Sequence, residues 1–280
     1  MRLAHLHIPE LIPFAHASRL QHTLVSRLLA YKKVSNSSQS TPAPDPTILT
    51  FTPHPVYTTG RRDLPSTPNA DHSLTVPQTL SLPASLEPIR HILTASPPLA
   101  EYHATLRGGQ TTYHGPGQLV AYTILDLRKL RIGPRAHIRL LEESVLEVLA
   151  TYGVKGMLNE DPGVWVKTAA QAGSVGPDAS LKKIAAVGVH LRRFVSSYGV
   201  GLNVTEEPIW YLRQIVACGL EGRGATSIEG QNAAVKGGSG EVADGFVKAF
   251  VGRINEGTAS GGIGPKIDEV YRMEERDLLD

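Results

Sequence analysis

Between Arg107 and Gln118 the chain reads RGGQTTYHGPGQ and then runs directly into the apolar stretch LVAYTIL. The segment holds Gly108, Gly109, Gly115 and Gly117. Glycine lacks a Cβ and tolerates positive φ, so such a loop can bring backbone against a neighbouring strand or a ligand. Leu119 to Leu127 is apolar enough for a strand covered on both faces. A glycine-rich loop feeding a buried strand is therefore a candidate substrate wall. Its structural alternative is a tight turn around a core histidine, His114.

The remaining pattern interleaves helices and strands. From Ala17, the residues Leu20, Leu24, Leu28 and Tyr31 recur at helical spacing, which predicts a helix packing one face on a sheet. SNSSQSTPAPDP, residues 35–46, buries too little apolar surface to order itself and reads as a loop. Ile48 to Thr58 reads as one strand, with Pro53 and Pro55 arguing for a sheet edge or a bulge. Pro134 can occupy a first helical turn, Ile138, Leu141, Val145, Leu149 and Tyr152 form an apolar stripe, and Gly153 is placed to end that helix. Val164 to Val166 and Ile184 to Leu191 read as strands, and a last helix is expected around Val242 to Ile254. No regular βαβ rhythm is present, which predicts an α+β fold of mixed sheets packed with helices, as one domain over residues 1–280.

Composition removes several function classes. A net charge of +2 on 280 residues, without a stripe of Lys and Arg interleaved with aromatics, gives no argument for nucleic acid as partner. The eleven histidines are scattered and Cys218 stands alone, so no Cys/His spacing for a metal is present and no metal site is expected. A lone cysteine makes no internal disulfide, which fits a reducing compartment. No apolar run approaches the roughly 18 residues of a membrane span. Before residue 45 the only acid is Glu10, against Arg2, Arg19, Arg27, Lys32 and Lys33, which is the charge bias of an organellar presequence. The same stretch also reads as the domain's own first strand and helix.

Three separated segments carry a resemblance: RGGQTTYHGPGQ, KIAAVGVHLRRFVSSYGVGLNV from Lys183 to Val204, and IVACGLEGRGATSIE from Ile215 to Glu229. Together, and in this order, they resemble the lipoyl(octanoyl) transferase family. HPVYTTGRR, at His54 to Arg62, is similar to that family's early strand and basic turn. One departure is visible: Tyr198 precedes Gly199 where the family usually carries histidine, which bears on a supporting role at that position. The resemblance implies the mixed-sheet catalytic fold of biotin and lipoate protein ligases. It also marks residues 168–180 as an insertion between strands that the family joins by a short turn. Segments 35–46 and 230–240 read as further flexible insertions.

The resemblance implies roles residue by residue. Cys218 becomes the nucleophile, although a lone cysteine is otherwise usually a small buried hydrophobe. A thiol of pKa near 8.5 is only a few per cent thiolate at neutral pH, and lowering that value by about two units takes roughly 2.7 kcal/mol of differential stabilisation. Lys183, from the K-I-A-A-x-G segment, supplies the cation, favoured as an ammonium paired with the thiolate. Acting as a neutral base at pH 7 it would need its own pKa lowered by about three units. Lys182 points to the opposite face of the strand. Two roles are open to His114: orienting the acyl carbonyl or relaying a proton, and bonding loop backbone. Arg107 either anchors the loop, meets a phosphopantetheine or carboxylate group, or makes a surface salt bridge. Gly108, Gly109, Gly115, Gly117, Gly188 and Gly199 are expected to let chain walls lie against substrate, with Tyr198 and Asn203 lining the same pocket.

The implied reaction moves an octanoyl (or lipoyl) group from acyl carrier protein to Cys218, and then to a lysine of a lipoyl domain. It would be the first step of endogenous protein lipoylation. Lipoyl domains of 2-oxoacid dehydrogenase E2 subunits and the glycine cleavage H protein are the implied acceptors. No cofactor is required, the acyl-phosphopantetheine of the donor being a substrate. The implied location is the mitochondrion in a eukaryote and otherwise the cytoplasm. Three rivals remain: an ATP-dependent lipoate or biotin protein ligase, a hydrolase using Cys218 with a histidine such as His114, and a non-enzymatic scaffold.

Overall fold

The first residues are buried in a row from Leu3 to Leu6 and exposed at Pro9, Glu10 and Leu11. RLAHLHIPELI forms β1 (Arg2–Ile12), a strand paired on both edges. The computed structural model describes residues 1–34, 42–63, 82–168, 180–215, 224–257 and 264–278. After β1 comes α1 (Phe14–Val34), which buries Phe14, Ala17, Leu20, Leu24 and Leu28, close to the face expected from their spacing. Then follow β2 (Thr47–Pro53) and β3 (Val56–Thr59), and a 3-10 turn at Ala84–Ile89 that continues into α2 (Arg90–Leu93). Next are β4 (Glu101–Ala104), β5 (Thr112–His114) and β6 (Gln118–Ile124). The middle of the chain supplies α3 (Pro134–Thr151), β7 (Gly156–Met157), β8 (Val164–Lys167), β9 (Leu181–Arg192) and β10 (Val195–Asn203). The last elements are α4 (Glu207–Leu212), β11 (Gly224–Ala225), α5 (Gly238–Glu256) and β12 (Glu269–Met273).

Among the described residues a nine-stranded mixed sheet runs β12-β1-β2-β6-β10-β9-β8-β7, with β11 added beside β9. β1 is parallel to β2 and β12, whereas β2, β6, β10, β9, β8 and β7 pair antiparallel in turn. A second sheet, β4-β3-β5, stands apart from it. This is the α+β class that the element pattern predicts. Strand β6 shows how the layers form. Leu119 and Ala121 pack with α3 and α5 on one face, while Val120, Tyr122 and Ile124 pack with α1 on the other. Every residue of β6 is buried, as a doubly covered strand requires.

Local signals set α3. Pro134 occupies its first turn, where a missing N–H costs nothing, and Gly153 takes φ +69 just beyond its end. The expected strand over 48–58 is instead two strands in different sheets. β2 lies between β1 and β6, so it is no edge, and Pro53 pairs only as its last residue. Proline donates no N–H and restricts its predecessor, so Pro53 and Pro55 make the corner where the chain leaves one sheet for the other. Of the segments read as insertions, 35–41 and 169–179 lie outside the described residues. Segment 230–240 lies within them: residues Glu229–Gln231 form a 3-10 turn, and Gly238 already opens α5.

Gly199 carries a prediction. A Cβ there would stand 2.2 Å from the carbonyl oxygen of Ala121, on the adjoining strand. Backbone cannot yield as a side chain can, so Gly199→Ala is expected to cost about 2 kcal/mol or more through forced separation of β6 and β10. Denaturant unfolding midpoints of the two proteins measure it, and an unchanged midpoint refutes the close approach.

Candidate active site

β9 pairs with β10 from Ala185 to Arg192, and two of the cross-strand pairs are made of the smallest residues: Gly201 with Ala186 and Gly199 with Gly188. Residues directly opposite share a face, so these pairs leave a strip of sheet without side-chain bulk. A cavity of about 280 Å³ lies along it. Lys183, Asp161 and Pro162 line it together with Arg107, Gly108, Gly109, His114, Tyr122 and Tyr198. Lys183 and Val189 are six residues apart on one strand, roughly 20 Å at strand rise, so the cavity is drawn out along β9 with Lys183 toward one end.

The RGG loop roofs this strip. Gly108 N donates to Val189 O at 2.9 Å, docking the loop on β9. Arg107 is buried and holds the loop from within: Nη1 donates to Gln110 O (2.8 Å) and Nη2 to Thr58 O (2.8 Å) and Thr58 Oγ1 (2.9 Å). Its guanidinium is thus a buried anchor of the loop. The absence of side chains permits this packing. A Cβ on Gly60 would meet Gly109 O at 2.2 Å, and one on Gly188 would meet Gly108 O at 3.2 Å.

His114 is buried over Gly201, where a Cβ would meet its Cε1 at 2.8 Å. Burial first, and the nearby Arg107 charge second, lower its pKa to about 4, so the ring is neutral at pH 7. Its Nδ1 lies 3.1 Å from Gln118 Oε1, so its partner is this side chain and not loop backbone.

Lys183 reaches the cavity through an irregularity. Trp165 pairs with Lys183 but its neighbour Val164 pairs with Ala185, a register shift of the kind that re-aims a side chain. Nζ donates to Pro162 O at 3.0 Å and stands 4.6 Å from the Trp165 ring centroid. Pro162 belongs to a turn that only glycine completes. Gly163 has φ +123, and a Cβ there would meet Ala185 O at 2.6 Å. Its N–H donates to Glu142 Oε1 at 2.8 Å. Burial raises the Glu142 pKa, opposed first by the Gly163 hydrogen bond and then by the Arg139 and Lys183 charges. A buried acid on α3 therefore holds the turn that holds the lysine.

Cys218, the expected nucleophile, lies outside the described residues. The chain is described again from Gly224, where β11 pairs Gly224 with Lys182 and Ala225 with Lys183, and Thr226 N donates to Lys183 O at 3.0 Å. The segment following the cysteine is thus joined to β9 at the lysine itself.

Of the residues singled out in the sequence, Lys183, Arg107, Gly108, Gly109, His114, Gly188, Tyr198 and Gly199 meet at one cavity. Gly115, Gly117 and Asn203 do not line it. Gly115 faces the Tyr113 hydroxyl, and Gly117, at φ +82, faces Thr205 and Pro208 at the start of α4, so both serve chain packing. Asn203 stands behind His114, accepting from Gln118 Nε2 (2.7 Å) and donating to Thr226 O (2.8 Å). Gln118, Glu142 and Gly201 were not picked out. Gln118 ends the HGPGQ stretch, and Glu142 lies next to Leu141 on the buried side of α3, which were the available signals.

Solved structures with this architecture define the class. A chain of the archaeal lipoylation system of Thermoplasma acidophilum, a bi-partite lipoate protein ligase with its E2 lipoyl domain, superposes with TM-score 0.56 at 13% identity, covering 99% of this chain and 91% of that one. P. falciparum LipL1 in complex with lipoate gives 0.59 at 10% identity, covering 99% of this chain and 67% of that one. These likenesses show a lipoate-ligase catalytic fold. The family described as lipoyl protein ligase A/B catalytic domain matches residues 98–250. The protein named "Probable octanoyltransferase" of Schizosaccharomyces pombe is 34% identical over 222 residues, 79% of this chain and 82% of that one. The octanoyltransferase of Paracoccus versutus is 43% identical over 129 residues, 45% of this chain and 81% of that one. The chain belongs to the lipoyl protein ligase A/B family, among its octanoyltransferases.

Proposed function

We propose that this octanoyltransferase works through a cysteine thioester, with Cys218 as nucleophile and Lys183 as its cation. In the first transfer the Cys218 thiolate attacks the octanoyl thioester of acyl carrier protein. A new C–S bond forms, the donor's C–S bond breaks, and the departing pantetheine thiol takes up a proton. In the second, a lysine amine of a lipoyl domain attacks the enzyme thioester, the C–N bond forms, the C–S bond to Cys218 breaks to regenerate the thiolate, and the amine gives up one N–H proton to solvent, matching the one the pantetheine thiol took up. Thioester exchange is nearly isoenergetic and amide formation runs downhill, so neither ATP nor an organic cofactor is needed.

One observation carries this reading: the bulge of β9 places Lys183 on the cavity, and β11, six residues beyond Cys218, is paired to β9 at that same lysine. A chain of six residues spans at most about 20 Å, a reach that allows the sulfur to meet Lys183 as this reading requires. The groove fits the donor. About seven CH₂ and CH₃ groups at about 0.8 kcal/mol each give about 5 kcal/mol for burying an octanoyl chain along the Gly/Ala strip. The lipoyl domains of 2-oxoacid dehydrogenase E2 subunits and the glycine cleavage H protein are the acceptors we propose. A mitochondrial location in a eukaryotic cell, otherwise the cytoplasm, is proposed from the family alone, since the basic start of the chain forms β1 and α1 of the domain itself.

Octanoyl acyl carrier protein and apo lipoyl domain, mixed with enzyme and no nucleotide, should yield octanoyl-lysine. Intact mass without acceptor should show one octanoyl adduct, lost in Cys218→Ser. Amide formation only with ATP would instead indicate a ligase, and free octanoate released without acceptor at a comparable rate a hydrolase.

A further inference from the structure

Behind the cavity, three polar side chains form a line whose hydrogen positions follow from one fixed end. Asn203 Nδ2 donates to the carbonyl oxygen of Thr226 at 2.8 Å. A carbonyl can only accept, so the amide orientation of Asn203 is set and its Oδ1 faces Gln118. Gln118 must then present its NH₂, at 2.7 Å, which leaves its Oε1 toward His114 Nδ1 at 3.1 Å. That oxygen also only accepts. The proton of the neutral imidazole therefore sits on Nδ1, and Nε2 keeps a lone pair. No hydrogen bond from a described residue reaches Nε2, and His114 lines the cavity, so this lone pair is offered there. The line is rigid at both ends. Asn203 O accepts from Ile228 N at 3.1 Å, and the ring is pressed on Gly201.

We infer that Gln118 is a positioning residue which, together with Asn203, fixes His114 as the Nδ1–H tautomer, so that Nε2 accepts a hydrogen bond from the incoming amine. This rests on the acyl-transfer reading above. At the reacting centre the donor thioester carries no proton, whereas the amine does, so a lone pair aimed into the cavity serves the second transfer and not the first. The ring takes no proton permanently; its hydrogen bond orients the amine lone pair toward the thioester carbon. Arg107, whose side chain is held in the loop beside the ring, disfavours a second proton there.

The test separates this from simple satisfaction of buried polar groups. With histidine labelled by ¹⁵N, a two-bond ¹H–¹⁵N spectrum of the wild-type protein at pH 7.5 should show His114 protonated at Nδ1 and bare at Nε2. Gln118→Met, similar in size without an acceptor, should lose that pattern, and Gln118→Glu, which keeps an acceptor oxygen, should retain it. In single-turnover reactions Gln118→Met should form the octanoyl-enzyme near the wild-type rate but pass the chain to the lipoyl domain on the order of tenfold to a hundredfold more slowly. The KM for the lipoyl domain should barely move. A wild-type ring protonated at Nε2 overturns the inference without any variant, as does a Gln118→Met enzyme with unchanged tautomer and amide rate. A wild-type enzyme with the Nδ1–H ring that forms no amide overturns the transfer reading, and the amine as donor with it, while upholding the ring's placement.

Discussion

Lys183→Met is expected to slow octanoyl transfer by about a hundredfold to ten-thousandfold while leaving the fold intact. Methionine keeps the apolar stem that lies beside Trp165 and removes only the charge. The ammonium donates to Pro162 O, in a turn fixed by the Gly163 to Glu142 hydrogen bond. If that charge lowers the thiol's pKa by about two units, its loss alone leaves about a hundredfold less thiolate at neutral pH. The second step loses more, because the departing sulfur would no longer have a cation beside it as its charge returns. The pH dependence gives the sign. Acylation by octanoyl carrier protein should climb in the wild type well below pH 8.5, and in Lys183→Met only toward that value. Lys183→Arg keeps a charge but spreads it over a planar group built for forked contacts, so it should recover only part of the activity. Rapid-quench measurement of the acyl-enzyme across pH 6 to 9 is the check, and full turnover in Lys183→Met would end the ion-pair account.

Much of this site was legible because its chemistry sits in short runs. The RGG loop, the strand segment from Lys183 and the doubly buried β6 all declare themselves by composition over a dozen residues or fewer. α3 was equally open, since Pro134 and Gly153 bound a helical stripe and both play local roles that need no distant partner. Where a residue's role depends on what lies across the fold, the sequence gives little. Pro53 and Pro55 look the same in an edge strand as at a corner between two sheets, and only pairing of β2 with β1 and β6 decides. β12 is a short run whose partner, β1, is at the other end of the chain. Gly201 is one glycine among many until His114 is seen lying on it. The resemblance implies Asn203 beside Tyr198 in the pocket, provided the two later strands fold over it. Asn203 faces the Thr226 carbonyl instead, and its influence passes through Gln118 to the ring.

Acidification should unfold this protein between about pH 6.5 and pH 4, and histidines are the reason. His5, His114 and His137 are all buried and each has its pKa lowered to about 4, with burial the largest cause. His5 accepts from Arg272 at Nδ1 (2.8 Å) and meets Thr50 Oγ1 at Nε2 (2.8 Å), so a second ring proton would displace a guanidinium. His137 bonds Thr123 Oγ1 at 3.2 Å, and its Nδ1 is enclosed without a hydrogen-bond partner among the described residues. The unfolded chain takes up a proton at each ring near pH 6.5, the folded chain only near 4. The stabilisation is therefore complete above about 6.5, shrinks as pH falls through the window, and changes no further below 4. Each ring accounts for about 3 kcal/mol on that scale, and three together approach the whole stability of an ordinary domain, about 5 to 15 kcal/mol. Glu142 acts in the opposite sense, since burial raises its pKa and lets the folded chain bind a proton first, but it is one group against these three rings, and His7 and His190, also lowered chiefly by burial, act on their side. Urea unfolding at pH 8, 6.5, 5 and 4 should show a plateau followed by a steep decline. In His137→Leu the decline should be shallower by about a third, whatever that variant's stability at pH 8. A stability that is level across the window, or a folded-state His137 resonance titrating near pH 6.5, would show that these rings are not held neutral by the core.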